Sequence, residues 1–507
     1  MGHDIKKSII EISREQILEL YKAGPEAIIF FVENIKELIN NLAQKIEEQE
    51  KVIEQLNKSV KYLEGIIKKD SHNSNKPPSS DGLKKSKKTS KRRKGAGKKP
   101  GGQKGHIGKT LEMVDTPDKI IVHEVSQCSN CGRSLKEEEA TAYEKRQVFD
   151  IPPIKVEVTE HRAEQKECPD CGDMNTGVFP EEVKNKTQYG ERLKANAVYL
   201  TNYGLFPYDR AAELFEDIFS IPLSPGTLVN INHRCSDLLK DAVEEGIKKG
   251  IRGSEVAHFD ETGIRINGEL HWLHVASTAG MSYFFPHSKR GGKAMEEIGI
   301  LPNFTGTAVH DHWKSYFNYE CDHSLCNAHH IRELTFLHEE YGQDWAKGMI
   351  DFLLEVKNEV DKAQGVSFDS TTVKQFEDRY KRIVGEGMKA NPPPEVGEGE
   401  KKRGRKKKSK ARNLLERLEQ YGKETLAFMY DFKVPFDNNQ GERDIRMMKV
   451  QQKISGTFRS YEGAVSFCRI RSYISTVKKQ GGNVITAIQN IFQGNPFLPE
   501  INFCTTE

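Results

Sequence analysis

Three acidic residues stand where local sequence patterns predict regular structure, and together they could bind metal ions. Asp260 lies within an apolar segment typical of a β-strand, Asp311 ends a second apolar segment, and Glu442 falls in the first turn of a predicted helix. A carboxylate inside a strand is costly unless something neutralises it, because buried charges are paired or coordinate metals. Each acid alone could instead form a salt bridge or face water at a sheet edge. If the fold brings all three into one pocket, they could hold two divalent cations.

Four cysteines in two Cys-x-x-Cys-Gly motifs form a second group of candidate metal ligands. They are Cys128, Cys131, Cys168 and Cys171. Each motif predicts a tight turn that directs two thiolates at one point, and two such turns predict a Cys₄ site for structural zinc. With every coordination position filled by protein, the zinc is expected to support folding rather than chemistry. Cys326 and His329 form a further Cys-x-x-His pair, which has no evident second pair to complete a site.

The elements that must position the acids begin with a predicted antiparallel meander. Asn267-Gly268 is a strong signal for a type I′ hairpin turn after the strand that contains Asp260. Because successive strand residues point to opposite faces, Asp260 and Glu261 cannot both face one pocket. The order of elements is that of a ribonuclease H-like α/β core. The elements are strands at 255–266, 270–277, 281–286 and 304–311, a helix at 293–298, and a helix that begins at the N-cap residue Asn438 and carries Glu442.

Eight short motifs occur along the chain in an order that is more specific than any one of them. They are Asn73–Asp81, Gly101–His106, Asp260–Thr262, Asp311–Tyr316, Cys326–His329, Asn438–Arg443, Gln452–Gly456 and Gly463-Ala464. In this order they resemble a DDE transposase of the insertion sequence 66 family. The resemblance implies that Asp260, Asp311 and Glu442 are the catalytic acids. His312 stands where the family usually has a small residue and Gly441 where it usually has alanine, but neither departure removes a carboxylate.

The resemblance implies DNA cleavage at the ends of an insertion sequence and strand transfer into target DNA. Two Mg²⁺ (or Mn²⁺) ions per active site, about 3.5–4 Å apart, would stabilise the attacking and leaving oxygens. Our hypothesis is that Asp260 bridges both ions, Asp311 binds one and Glu442 binds the other. Arg443 and Arg446, near the start of the Glu442 helix, could contact the scissile phosphate. Water would act first and expose a 3′ hydroxyl, which then attacks target DNA, while the zinc site positions DNA.

Size and composition exclude several classes of protein. A chain of 507 residues is too long for one ordinary core, so several domains are expected. No apolar run is long enough to cross a bilayer, and the amino terminus lacks the apolar stretch of a signal peptide. We therefore expect a cytoplasmic, nucleoid-associated protein with no membrane partner. Nine cysteines without an export signal indicate metal binding or buried thiols rather than disulfides.

Lys and Arg cluster in two runs, although the net charge is only +3. No acidic residue lies between Asp81 and Glu112 or between Glu400 and Glu416. These side chains could neutralise DNA phosphates without reading sequence, although an inert spacer would also explain the first run. The predicted DNA contacts in the runs are Lys91, Arg92, Arg93, Lys94, Arg403 and Arg405.

Residues 28–67 carry an unbroken heptad repeat. β-branched residues such as Val32, Ile39 and Ile46 occupy position a, and Leu42 and Leu56 occupy position d. This arrangement favours a parallel two-stranded coiled coil, although an amphipathic helix packed on its own domain would show the same stripe. We expect a homodimer or higher oligomer, and the resemblance allows accessory proteins of the same element as partners.

The whole chain is predicted to be a multidomain α+β protein. Helices at 207–219 and from Ser224, where Pro225 takes the first helical position, form either a helix-turn-helix or a plain helical hairpin. The predicted domains are an N-terminal helix with a dimerising coiled coil (1–70), a basic flexible linker (71–115), a Cys₄ zinc-binding domain with strands in 144–162 (116–185), a helical region (186–250), the first part of the catalytic core (251–336), a helical insertion with a basic loop (337–432), the catalytic Glu helix (433–464) and a C-terminal helical element (465–507).

Two other functions fit parts of this pattern. The chain could be a non-catalytic, zinc-containing DNA-binding regulator built on a decayed catalytic fold. It could also be a metal-dependent DNA nuclease that cleaves without strand transfer. The presence of all three acids at their expected places argues against a decayed catalytic site. Strand transfer is the activity that distinguishes a transposase from a nuclease.

Overall fold

The computed structural model describes residues 13–67, 69, 74, 111–393 and 408–500. Within these ranges no helix is both long enough and apolar enough to span a bilayer. The chain forms two compact units. The first comprises Met1–Lys84, His329–Phe352 and Tyr380–Glu416, and the second comprises Lys85–Ala328, Leu353–Arg379 and Arg417–Glu507.

The described ranges contain sixteen α-helices and seven strands. In chain order they are α1 (Arg14–Lys22), α2 (Pro25–Ile67), β1 (Gln165–Glu167), β2 (Met174–Thr176), α3 (Glu191–Val198), α4 (Tyr208–Phe219), α5 (Pro225–Leu239), α6 (Ala242–Arg252), β3 (Val256–Ile266), β4 (Glu269–Ser277), β5 (Ser282–His287), α7 (Gly292–Ile298), β6 (Thr307–His310), β7 (Asp322–Leu325), α8 (Asn327–Tyr341), α9 (Asp344–Lys362), α10 (Ser370–Ala390), α11 (Lys410–Gln420), α12 (Gly422–Thr425), α13 (Ala427–Tyr430), α14 (Asn439–Ser455), α15 (Tyr461–Lys479) and α16 (Val484–Phe492).

A five-stranded mixed sheet of order β5-β4-β3-β6-β7 forms the centre of the second unit. β3, β4 and β5 are the antiparallel meander predicted from the sequence, and β6 and β7 run parallel to β3. The predicted hairpin turn is confirmed, because Asn267 and Gly268 have φ angles of 50° and 81°. The strand that contains Asp260 is therefore the middle strand of the sheet.

Gly306 permits the close approach of β6 to β3. A Cβ atom at this position would lie 2.4 Å from the Glu255 carbonyl oxygen and 2.5 Å from that of Ser254, which is sterically impossible without backbone movement. The N–H of Thr307 donates to the same Glu255 carbonyl at 2.8 Å. Glycine at 306 thus lets the two parallel strands begin side by side.

Helices that precede and follow the strands in sequence pack on this sheet. α14 lies against β3 and β4, and α15 lies against β5 and α5. One buried cluster joins residues of α3–α6 to residues of the sheet, α15 and α16, so the helical region at 186–250 shares a core with the sheet. The predicted start of α5 is confirmed: the Ser224 hydroxyl accepts from the Thr227 N–H, with Pro225 as the first helical residue.

The segment at 337–432 is mainly helical in the part that the structure describes, as predicted, with a seven-residue loop at 363–369 between α9 and α10. In the first unit, Gly387 of α10 lies against Trp345 and Leu415, where an added Cβ would meet side-chain atoms at 2.5 to 2.9 Å. The first unit also contains α2, a single helix of 43 residues. Most of its heptad residues are exposed, with Val32 at 56% and Ile39 at 58%.

The prediction of strands between residues 144 and 162 is wrong. That segment has no regular secondary structure, and the strands of this region are β1 and β2, on either side of the second cysteine turn. Alternating residues such as Val156 and Val158 do favour a strand, but Pro152 and Pro153 lack the N–H groups that a ladder needs.

Candidate active site

The sheet register brings Asp260 and Asp311 side by side. In the parallel pairing of β3 with β6, His258 lies opposite Val309, so two further residues along each chain lead to Asp260 and Asp311. β3 is paired without a bulge from His258 to Ile266, so Asp260 shares a face with Ile264 and Ile266. Those two residues pack in one cluster with residues of α14. Asp260 therefore faces the helix that carries Glu442.

The start of α14 is attached to the same strand. Asn438, the residue before the helix, donates from Nδ2 to the Phe259 carbonyl at 2.8 Å. Its Oδ1 lies 2.8 Å from His258 Nδ1. The prediction that this side chain caps the helix is wrong, because it makes no cap hydrogen bond and binds β3 instead. Glu442 is one turn further along α14, and it contributes to the electrostatic environment of Asp260.

Burial and neighbouring acidic charges raise the pKa of both aspartates. Burial raises the pKa of Asp260 well above its usual range, and Glu261, Asp311 and Glu442 raise it further, while the Glu261 N–H that donates to Asp260 Oδ1 at 2.9 Å opposes them. Burial and Glu261 also raise the pKa of Asp311, whereas the Trp313 N–H and Arg290 lower it. Asp260 and Asp311 therefore resist ionisation in the protein alone, and a divalent cation at this point would neutralise their charges.

Glu261 lies on the opposite face of β3 and already has partners. Its side chain is 1% exposed, accepts from Arg290 at 2.7 Å and from the Tyr316 hydroxyl at 2.5 Å. The Arg290 guanidinium lies 3.7 Å from the centroid of the Trp313 ring and 4.9 Å from that of Trp272. The Glu261 carboxylate is buried and the Arg290 side chain is 30% exposed, so they form a partly buried ion pair on the face of β3 opposite to Asp260.

The sequence did not lead us to predict that Arg290 and Tyr316 bind Glu261. Tyr316 closes the motif that begins at Asp311, which was an available signal. Arg290 lies in the loop before α7 and follows no periodic pattern, so no local signal marks it.

The other nearby acids also have partners of their own. Asp444 accepts from Lys479 at 2.7 Å and from the Ser282 hydroxyl at 3.1 Å. Asp437 accepts from the Asn439 N–H at 3.0 Å. Of the acids weighed as ligands, Asp311 and Glu442 are the ones that, with the neighbouring Glu261, act on the charge of Asp260.

The predicted phosphate-binding residues divide into two groups. Arg443 and Arg446 are exposed on α14, and Arg443 donates to the Gln440 side chain at 2.9 Å. Lys91, Arg92, Arg93, Lys94, Arg403 and Arg405 lie outside the described residues. Cys326 follows β7, where its sulfur accepts from the Asn438 N–H at 3.2 Å. His329 belongs to the first unit.

The four predicted zinc ligands lie in two turns of matching geometry. The N–H of Cys128 donates to the Arg133 carbonyl at 2.9 Å, and the N–H of Cys168 donates to that of Asp173 at 2.9 Å. Gly132 and Gly172 have φ angles of 75° and 78°, which favour glycine. The structure shows two separate turns, since no three of these four sulfur atoms lie within 4.8 Å of one another.

Backbone hydrogen bonds favour the thiolate form of one cysteine in each turn. The backbone N–H groups of Cys131 and Asn130 lower the pKa of Cys128, and those of Cys171 and Asp170 lower the pKa of Cys168. A lowered pKa increases the thiolate fraction at neutral pH, and the thiolate is the form that binds zinc. The donor set therefore fits a structural zinc ion.

Comparison with known proteins gives three family matches. Residues 186–466, which include all three acids, match the transposase IS66 family. Residues 126–172, which include the four cysteines, match the zinc-finger binding domain of transposase IS66, and residues 27–112 match a family of unknown function (DUF6444). No curated protein matches the chain. Among solved structures, the Drosophila P element transposase strand transfer complex overlaps 59% of this chain and 94% of its own, at 10% identity and a TM-score of 0.33.

Proposed function

This chain belongs to the IS66 family of DNA transposases, and from that premise we propose that it cuts DNA at the ends of an insertion sequence and joins the exposed ends to target DNA. The observation that carries the proposal is the shared face of Asp260, Asp311 and α14, where burial and neighbouring acidic side chains raise the pKa of both aspartates. The sheet order, with three antiparallel strands followed by two parallel ones, supports a ribonuclease H-like catalytic core.

Asp260, Asp311 and Glu442 would hold two Mg²⁺ (or Mn²⁺) ions. Carboxylates are suitable ligands because Mg²⁺ prefers hard oxygen donors, and the unfavourable pKa shifts would be relieved by a cation. Asp260 would be the central ligand, and Asp311 and Glu442 would supply the further carboxylate ligands. Bound metal supplies a more acidic water and neutralises charge that develops on the leaving oxygen.

The reaction would have two chemically similar steps. In the first, a water oxygen attacks phosphorus at the element end, the P–O3′ bond breaks, and the 3′ oxygen leaves as a hydroxyl after it takes a proton. In the second, that hydroxyl attacks a target phosphodiester and displaces its 3′ oxygen. Arg443 and Arg446 are exposed beside Glu442 and would hold the phosphate by charge-assisted hydrogen bonds.

DNA contacts outside this pocket would come from the two basic runs and the zinc-finger domain. The runs would neutralise phosphates of element ends or target without reading sequence. In a cell this would place the protein at the nucleoid. The helix pair α4–α5 remains a helix-turn-helix candidate, with accessory proteins of the element as further partners.

A strand-transfer assay tests the proposed function. The substrate would be a duplex of the inverted repeat that flanks the gene, pre-cleaved to expose its 3′ hydroxyl, together with a supercoiled plasmid and Mg²⁺. The expected result is covalent joining of the duplex to the plasmid, which is absent without a divalent metal. Cleavage of uncut ends without joining of pre-cleaved ends would support the nuclease, and end binding with neither reaction would support the regulator.

We further propose that α2 pairs with a second copy of the chain. Ile46 lies at an a position and is 56% exposed, so an aspartate there would be placed in the apolar seam of a coiled coil. The substitution Ile46→Asp is expected to shift the protein from dimer to monomer in sedimentation equilibrium. Gln44→Asp, on the outward f position of the same helix, is the matched control and should remain dimeric. Equal masses for Ile46→Asp and the natural chain would reject the coiled coil.

A further inference from the structure

Asn438 is a buried polar residue that joins three elements around the candidate active site. It is 2% exposed and lies between α14 and the strands β3 and β7. Its backbone N–H donates to Cys326 Sγ after β7, and its side chain binds His258 and Phe259 of β3. Its carbonyl oxygen accepts from the Glu442 N–H at 3.1 Å, the first hydrogen bond of the helix.

The hydrogen bonds leave a single orientation for the Asn438 amide. The Phe259 carbonyl can only accept, so the group that faces it must be the Nδ2 donor. Oδ1 therefore faces His258, and because an amide oxygen only accepts, His258 Nδ1 must carry the hydrogen between them. Reversal of the amide would place two acceptors against each other at Phe259.

The absence of a side chain at Gly441 leaves room for the Asn438 amide group. A Cβ at Gly441 would lie 3.0 Å from Asn438 Oδ1 and 3.3 Å from Nδ2, closer than most real contacts. The Asn438 side chain does not turn back to cap the helix, as asparagine usually does at this position. Its hydrogen-bonding groups are used to attach the helix to the strand.

The attachment lies one helical turn from Glu442 and one residue from Asp260. Residues four apart on a helix lie on the same side, so Glu442 and Asn438 are directed toward the same strand. Asn438 binds the backbone of Phe259 and the side chain of His258, the two residues that lead directly into Asp260. One amide therefore links the start of the Glu442 helix to the residues beside Asp260 across a sequence separation of about 180 residues, in addition to the packing of α14 on β3.

We propose that Asn438, held by His258, is a positioning residue that keeps Glu442 in register with Asp260 so that both bind the same metal ions. The proposal rests on the proposed two-metal function. It assigns no contact with DNA to Asn438 or His258. Loss of the amide would thus weaken metal binding and strand transfer, while the DNA-binding surfaces stay intact.

The primary test measures the Mg²⁺ concentration that gives half-maximal joining of pre-cleaved ends. Partners that orient metal ligands typically contribute 10–100-fold, so Asn438→Ala is expected to raise this concentration by about tenfold or more. Asn438→Asp keeps the acceptor for His258 but loses the donor to Phe259, and should show a similar defect. Affinity for end DNA, measured without divalent metal, should stay within about twofold. Asn439→Ala, on the exposed neighbour, should behave like the natural chain.

A second pair of variants tests the role of His258. Asparagine carries its NH₂ on Cγ, where histidine carries Nδ1, so His258→Asn can still donate to Asn438. His258→Leu cannot donate and should show a raised Mg²⁺ requirement of roughly tenfold, whereas His258→Asn should stay within about threefold. The double variant Asn438→Ala with His258→Leu should be little worse than Asn438→Ala alone, because that change already removes the contact with His258.

The outcomes separate this proposal from the function on which it rests. If the natural chain joins ends but Asn438→Ala and His258→Leu keep its Mg²⁺ dependence, the positioning role is wrong and the transposase function stands. If the natural chain joins no ends, the proposed function fails. Thermal melting identifies variants that do not fold. Should Asn438→Ala be one of them, equal behaviour of His258→Leu and His258→Asn would overturn the proposal, and rescue by His258→Asn would support it.

Discussion

Substitution of Asp260 or Asp311 by asparagine, or of Glu442 by glutamine, is expected to lower end cleavage by about a thousandfold or more at neutral pH. The amide keeps the size of each side chain but cannot supply the negative charge that holds a metal ion. Loss of metal-based transition-state stabilisation of several kcal/mol corresponds to roughly this factor, because about 1.4 kcal/mol is tenfold. The measurement is Mg²⁺-dependent cleavage of a labelled end duplex.

The matched control for these variants is Asp437→Asn. Asp437 precedes the same helix and its carboxylate accepts from the Asn439 N–H, an interaction that an asparagine oxygen can retain. Cleavage by this variant should stay near that of the natural chain. All four variants should bind end DNA as the natural chain does. Unchanged cleavage by the three acid variants would remove the catalytic assignment.

Asp260→Asn should also stabilise the metal-free protein. The folded-state pKa of Asp260 is raised, so stability is lost as pH rises from the unfolded pKa through the folded one, and the Asp260 carboxyl group lowers the stability of the fold at neutral pH. The asparagine variant should therefore melt at a higher temperature than the natural chain without Mg²⁺. Saturating Mg²⁺, which adds about 2.7 kcal/mol at 100 times the Kd, should stabilise the natural chain but not this variant.

Loss of one zinc ligand is the second change with a large expected effect. Cys168→Ser should lower zinc affinity by more than about a hundredfold, since even outer partners of metal ligands contribute 10–100-fold. Zinc binding contributes roughly 10–16 kcal/mol to folding in zinc-finger peptides, so the segment at 126–172 should become protease-sensitive. The measurements are zinc content by atomic spectroscopy and limited proteolysis.

Cys321→Ser provides the control for the zinc experiment. Cys321 is 8% exposed and burial raises its pKa to about 11, so it is a buried thiol of the second unit rather than a metal ligand. The variant should keep one zinc per chain. Equal zinc content in Cys168→Ser and the natural chain would show that the four cysteines do not form one site.

Features that depend on neighbouring residues could be predicted from the sequence alone. The Asn267-Gly268 turn, the Ser224-Pro225 helix start and the two cysteine turns each require particular residue types at adjacent positions. The transposase family, predicted from the order of short motifs along the chain, is also confirmed by the family match at residues 186–466. The catalytic role of the three acids and the coiled coil remain predictions, because only assays of DNA cleavage and of self-association can test them.

Contacts between residues far apart in sequence were decided only by the tertiary structure. Arg290 became the partner of Glu261 because a loop passes beneath β3. The Asn438 side chain does not cap α14, because it forms hydrogen bonds with His258 and Phe259 instead. A sequence pattern records propensity and periodicity along one segment, whereas these contacts depend on how separate segments pack. The same reason explains the failed strands at 144–162: their alternation was genuine, but a strand also needs a hydrogen-bonding partner from elsewhere in the chain.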